Sequence, residues 1–160
     1  KKNEVGLAAY DDGVKSHSDI PASIYMGLTY ALFDNFRISA GYGHWFDWYA
    51  DLPGDQEKHA EGTDEFLGGV EADILTRLTI SGGFQISQYH LDDEYMSDMS
   101  FIMDNVTLGC GLAFRATDWI KINVAYFHSI YDDWKEKEAY GSNTYKRTSR
   151  GVGIGADLDF

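Results

Sequence analysis

Five histidines, His17, His44, His59, His90 and His128, are the side chains best suited to proton transfer near neutral pH. A hydrolase would also need an activated nucleophile. Serines and aspartates are present, but no G-x-S-x-G segment occurs, and the histidines are scattered near expected loops or strand ends. No catalytic residue is assigned on this basis, and the chain is read as not an enzyme. The acidic clusters Asp92-Asp93-Glu94 and Asp132-Asp133 offer oxygen ligands of the kind calcium prefers. They lack the spacing of a calcium-binding loop closed by a final Glu, and they are read as solvated loops. No metal and no cofactor is assigned.

A second group of ionisable residues is more informative because it falls on one side of regular elements. Arg37, Glu71, Asp73, Arg115 and Lys121 occupy positions that alternate with apolar ones. Charges on a wall of low dielectric constant need partners. They form either an interior network or a receptor for an anionic group such as a carboxylate, which Arg binds in bidentate fashion. Tyr25, Leu67 and Phe127 are the large residues of the same side. The candidate ligand-binding set is therefore Arg37, Tyr25, Glu71, Arg115 and Phe127.

The elements that position these residues are strands. Ala22, Ile24, Met26, Leu28, Tyr30 and Leu32 alternate with Ser23, Tyr25, Gly27, Thr29 and Ala31. The same period of two recurs from Phe36 to Gly43, Phe66 to Ile74, Leu78 to Ser87, Val106 to Arg115, Ile120 to Tyr126 and Gly151 to Phe160. A shorter stretch near Glu4–Tyr10 makes about eight strands. Short turns at residues 33–35, 75–77 and 116–118 take turns with long polar loops near 11–20, 48–63, 91–104 and 132–146. In an up-and-down meander this gathers the long loops at one end and the short turns at the other, as in outer-membrane barrels.

Composition agrees with that class. Aromatics form 15% of the chain, with 11 Tyr, and there are 17 Gly against 2 Pro. Mean hydropathy is only -0.35, because alternation hides the apolar stripe from an average. Trp45, Phe46, Trp48, Tyr49, Tyr89, Tyr126, Phe127, Tyr131 and Trp134 cluster where strands meet loops, and Trp119 stands near a short turn, as in interfacial girdles. The polar side is mostly Gly, Ser, Thr and Ala. A soluble β-sandwich would show charges there instead. A net charge of -13 excludes a nucleic-acid partner, which needs Lys/Arg clusters. Cys110 is unpaired and lies on the apolar stripe, where it reads as a small filler. The first residues, Lys1-Lys2-Asn3-Glu4, carry no apolar export segment, so a mature chain or a piece of a longer precursor is expected. The fold class expected is all-β: a transmembrane antiparallel up-and-down β-barrel, with residues 1–160 forming one barrel domain or the C-terminal segment of a larger one.

The ordered succession of motifs carries a family resemblance. It runs from Ser18-Asp19-Ile20-Pro21-Ala22-Ser23 into Gly27-Leu28-Thr29-Tyr30, then Phe36-Arg37-Ile38-Ser39-Ala40-Gly41-Tyr42 and Trp45-Phe46-Asp47. It continues through Leu67-Gly68-Gly69-Val70-Glu71, Leu78-Thr79-Ile80-Ser81-Gly82-Gly83-Phe84-Gln85 and Ser97-Asp98-Met99-Ser100-Phe101. It ends in Thr107-Leu108-Gly109-Cys110-Gly111-Leu112-Ala113-Phe114 and Gly151-Val152-Gly153-Ile154-Gly155-Ala156-Asp157-Leu158-Asp159-Phe160. Together these resemble the C-terminal half of the outer-membrane long-chain fatty acid transporter family, in its Bacteroidetes-like form.

The resemblance implies a barrel of about fourteen strands with an N-terminal plug, of which this chain matches the wall and not the plug or its lateral opening. It implies passive passage of long-chain fatty acids or similar hydrophobic compounds across a bacterial outer membrane, with long loops outside and short turns in the periplasm. Implied partners are membrane lipid and lipopolysaccharide, a hydrophobic small-molecule ligand, and the barrel-assembly machinery, engaged through the last strand ending at Phe160. The alternative expectation is a small structural or adhesive barrel whose loops contact the outside.

Overall fold

In a computed structural model, residues 20–50, 56–91, 103–138 and 141–159 are described. Nine strands follow in chain order: β1 (Ala22–Phe33), β2 (Phe36–Phe46), β3 (Ala60–Leu75), β4 (Leu78–Leu91), β5 (Asn105–Arg115), β6 (Ile120–Tyr131), β7 (Trp134–Glu138), β8 (Gly141–Tyr145) and β9 (Thr148–Leu158). Seven of them form one antiparallel sheet in the order β1-β2-β3-β4-β5-β6-β9, while β7 and β8 pair as a separate hairpin. The chain is thus all-β with a simple up-and-down meander. Among the described residues β1 and β9 are the two edges and do not pair with each other, so the expected closed barrel is an open sheet here. The strand expected at Glu4–Tyr10, the loop Asp92-Asp93-Glu94, His17 and Phe160 lie outside the described residues.

Strands run further than the alternation suggested. β2 continues to Phe46, β3 begins at Ala60, β4 reaches Leu91 and β6 reaches Tyr131. At these ends the apolar stripe takes His44, Asp64, Gln88 and His128, so a reading by period stops short of the hydrogen-bonded ladder. The expected loop over residues 132–146 holds the β7–β8 hairpin, in which Trp134 stands across from Tyr145 with ring centroids 5.1 Å apart. The bulge between Ala60 and Thr63 holds Gly62 at a φ of 102°; a side chain there would also meet the Trp45 carbonyl oxygen.

Register keeps each stripe on one side through the whole sheet. Ile38, Val70, Gly82, Cys110, Tyr126 and Val152 follow one another across β2 to β9 on the apolar face. Ser39, Gly69, Gly83, Gly109, Phe127 and Gly151 do so on the polar face. Burial is then inverted relative to an ordinary sheet packed on a core. Leu28 is 82% exposed, Ile154 79% and Val152 69%, all on the apolar face. Among the described residues Thr63, Ser87, Asn105 and Ser129 are the buried polar ones, and all four are on the polar face. The buried hydrophobic residues Ala50, Met103 and Trp134 lie off the seven-stranded sheet, beyond its long-loop end. The cause is curvature: the polar face is concave. Thr29 of β1 and Gly153 of β9, at opposite edges of the sheet, border one open trough of about 680 Å³.

Candidate functional site

The concave face carries every residue of the candidate ligand-binding set, at three levels. At the short-turn end Arg37 is held by two carboxylates. Its Nε donates to Glu71 Oε1 at 2.7 Å, and its terminal nitrogens donate to the two Asp73 oxygens at 3.0 and 3.1 Å. Thr79 donates to Asp73 as well, at 2.6 Å. Three strands supply this network: Arg37 lies directly across from Glu71 on β3, and Asp73 across from Thr79 on β4. One cation between two anions leaves the cluster negative, and the guanidinium fork is already occupied. Arg37 therefore acts here as a strut.

Arg115 differs. It lies directly across from Lys121, a like charge, and Lys121 is drawn to Asp157 at 3.4 Å, which also accepts from Asn123 at 3.0 Å. Like charges facing across a ladder are unfavourable. Among the described residues no carboxylate is within ion-pair distance of the Arg115 guanidinium. Of the two arginines named from sequence, Arg115 is the one with its donors open.

The middle level is nearly bare. Gly69, Gly83 and Gly109 stand side by side on β3, β4 and β5, flanked by Thr29 and Ser39, whose hydroxyls are 2.9 Å apart. The glycine at position 83 is required by close approach: a Cβ there would be 2.7 Å from the Gly68 carbonyl oxygen. A second trough of about 440 Å³ runs over this floor, and Leu67 and Gln85 border it. Its surface is mostly Gly methylene and hydrocarbon, despite the polar character of the face.

At the long-loop end the Tyr25 hydroxyl donates to Glu65 and accepts from Trp45 Nε1 at 2.8 Å. Gln85 also donates to Glu65, at 2.9 Å, and to Ser87 at 3.2 Å. Thr107 and Ser129 share a hydrogen bond of 2.7 Å. Tyr25 is thus a part of a network, with its ring packed over Gly43. Phe127, at the middle level across from Gly109, packs over Gly151 in the same way. Sequence reading missed Glu65 and Trp45 as partners of Tyr25, and Gln85 as a second donor to Glu65. Glu65 lies one residue before the point where the apolar alternation of that strand becomes regular, so its face was not legible.

The histidines of the strands sit on the opposite, apolar face. Asp64 accepts from Tyr42 at 2.5 Å and contacts His44 Nδ1 at 2.8 Å and His90 Nε2 at 3.2 Å. His128 accepts from Arg150 Nε at 3.1 Å. The strand serines Ser23, Ser39, Ser81, Ser87, Ser129 and Ser149 are all on the polar face. Successive side chains of a strand point to opposite faces, so no serine–histidine pair is assembled on the described strands of the seven-stranded sheet. Among the described residues no cluster of His, Cys, Asp or Glu could hold a metal ion. No described helix is long and apolar enough to cross a membrane, which has no bearing on strands. No protein-family model and no curated protein sequence matches this chain.

Proposed function

We propose that this chain forms the wall of a β-barrel in a bacterial outer membrane, and that its concave face lines a passage for long-chain fatty acids or similar hydrophobic molecules. The observation that carries the membrane reading is the inverted burial: a continuous apolar face with no layer over it among the described residues, and hydroxyl and amide groups buried on the other side. In water, an uncovered apolar surface spanning seven strands would drive aggregation. In hydrocarbon it is the favourable arrangement. The dimensions agree. From Val106 to Phe114 the apolar stripe of β5 advances about 27 Å at roughly 3.4 Å per residue. Tilted by about 40°, it spans about 20 Å, close to the apolar band of such barrels. Phe46, Trp48 and Tyr49 stack beyond one end of the stripe, and Trp119 marks the other.

Closure follows from strand direction. Five strands separate β1 from β9 in an antiparallel order, so the two edges run the same way. One strand running opposite to both would pair antiparallel with each and leave no edge in lipid. The alternation at Glu4–Tyr10 is the sequence candidate for that strand, with a larger barrel as the other route.

The passage reading rests on the family resemblance and is supported by the trough over Gly69, Gly83 and Gly109, where an acyl chain meets methylene groups and Leu67. Arg115 is the cation open to its carboxylate. The occupied fork of Arg37 and the interlocked hydroxyls favour the second reading, a small structural or adhesive barrel.

Two measurements test these readings. A fluorophore on Cys110, which lies on the apolar face, is expected to be quenched by lipids brominated on their acyl chains. The same label on Thr107→Cys in a Cys110→Ser background, facing the trough, is expected to escape quenching. Equal quenching at both positions would sink the membrane reading. Passage is tested by oleate uptake into vesicles holding the protein; if Leu67→Arg leaves uptake unchanged, the structural reading stands instead.

A further inference from the structure

Arg150 is a cation on the wrong side of the sheet. It alternates with Val152 and Ile154 on the apolar face and is exposed. Its partner across the ladder is His128, whose Nδ1 accepts from Arg150 Nε. The accepting nitrogen carries a lone pair, so the proton of the neutral ring is on Nε2. Both terminal nitrogens of Arg150 keep their donors. Among the described residues no carboxylate lies within ion-pair distance of them.

Several neighbouring basic side chains at this end have partners among the described residues. His44 and His90 share the Asp64 carboxylate on the same face. Lys146 pairs with Asp133 at 2.8 Å, and Arg147 lies over the Tyr131 ring, 4.8 Å from its centroid. Like Arg115, Arg150 has no carboxylate partner among the described residues, and it turns to a histidine instead.

Position explains what it could meet. Arg150 is two residues from the start of β9, and His128 three from the end of β6. That is the long-loop end, where the apolar face gives way to polar residues. On a lipid-facing wall a charge is costly at the midplane and far less so near the interface.

We propose that Arg150 and His128 form a binding site for the phosphate of a membrane lipid headgroup, resting on the membrane reading above. The guanidinium presents a planar fork that matches two phosphate oxygens. The His128 Nε2–H supplies a further donor beside it. Thr148, the next residue toward the rim on the same face, adds a hydroxyl at the headgroup level. A phospholipid and the lipid A moiety of lipopolysaccharide both carry this chemistry.

The test places the full chain in phosphatidylcholine nanodiscs doped with phosphatidylglycerol or with lipid A, and reads retained anionic lipid by native mass spectrometry. Arg150→Gln is expected to lower retention about tenfold, the loss of a strong charge-assisted contact, and Arg150→Lys to lower it less. Arg147→Gln is expected to leave it unchanged. Greater retention of lipid A than of phosphatidylglycerol identifies lipopolysaccharide as the source of the phosphate, and the reverse identifies phospholipid. Equal retention by wild type and Arg150→Gln overturns the site while leaving the membrane reading intact. A wild-type chain that does not enter nanodiscs overturns both.

Discussion

The ring of Phe127 occupies the space that a side chain at position 151 would fill, on the strand directly across from it. Tyr25 stands in the same relation to Gly43, and Phe84 to Gly68. In each pair a bulky ring covers bare backbone of its neighbour, which shields the ladder and fixes register. Gly151→Ala is therefore expected to destabilise the chain by about 1–3 kcal/mol through overpacking. Gly109→Ala, whose new methyl would find its nearest neighbour at 3.7 Å, is expected to be neutral or slightly stabilising. Urea unfolding from phospholipid vesicles, followed by Trp fluorescence, compares the two. Equal effects would mean that the ring is not held over Gly151.

The Arg37 strut makes a second expectation. Arg37→Ala leaves Glu71 and Asp73 facing each other without the cation that separates them. A loss of stability, read as a lower urea midpoint, is expected, because the two carboxylates lose the cation that offsets their repulsion. Adding Asp73→Asn to Arg37→Ala should recover part of it, because one of the two opposed charges is gone. The same unfolding assay reads this. If the double variant is as unstable as the sum of the single ones, the residues do not act as one network.

Depth on the apolar face is testable by charge. Val124 lies near the middle of β6, and Val106 near the long-loop end of β5. Val124→Arg is expected to cost about 2–4 kcal/mol in a bilayer, and Val106→Arg about 0–1 kcal/mol. In water the two positions, both exposed, would respond alike. The folding equilibrium into vesicles against denaturant gives both numbers.

Orientation and the status of the hairpin can be read together. Among the described residues β7 and β8 pair only with each other, beyond the pair formed by Ile130 and Thr148. Trypsin added outside intact cells is expected to cut at the exposed Lys135 and to spare Arg77 and Arg115 at the short turns. Replacing residues 133–146 by a short turn should leave the sheet folded with the same unfolding midpoint. Cleavage at Arg77 with Lys135 intact would reverse the orientation.

Strand existence and facing were legible because a period of two is local. Ile122, Val124 and Tyr126 against Lys121 and Asn123 declare their sides without reference to any other strand. The side occupied by Arg37, Glu71, Arg115, Tyr25 and Phe127 could be read in the same way. Strand ends could not, because His44, Asp64 and His128 interrupt the apolar stripe while their backbones still pair. The β7–β8 hairpin has no apolar stripe at all, so its pairing left no periodic trace.

Partnership was decided only by the tertiary structure. Arg37 and Asp73 are far apart in sequence, and their contact depends on the register of β2 on β3, which sets Arg37 across from Glu71, two residues from Asp73. Nothing in the local pattern distinguishes the occupied Arg37 from the open Arg115. Curvature, too, is summed over many strand pairs; it makes the polar face concave and brings Thr29 and Gly153 to one trough. Alternation thus determined which side each residue takes, whereas register and curvature, which no single strand contains, decided what each residue meets there.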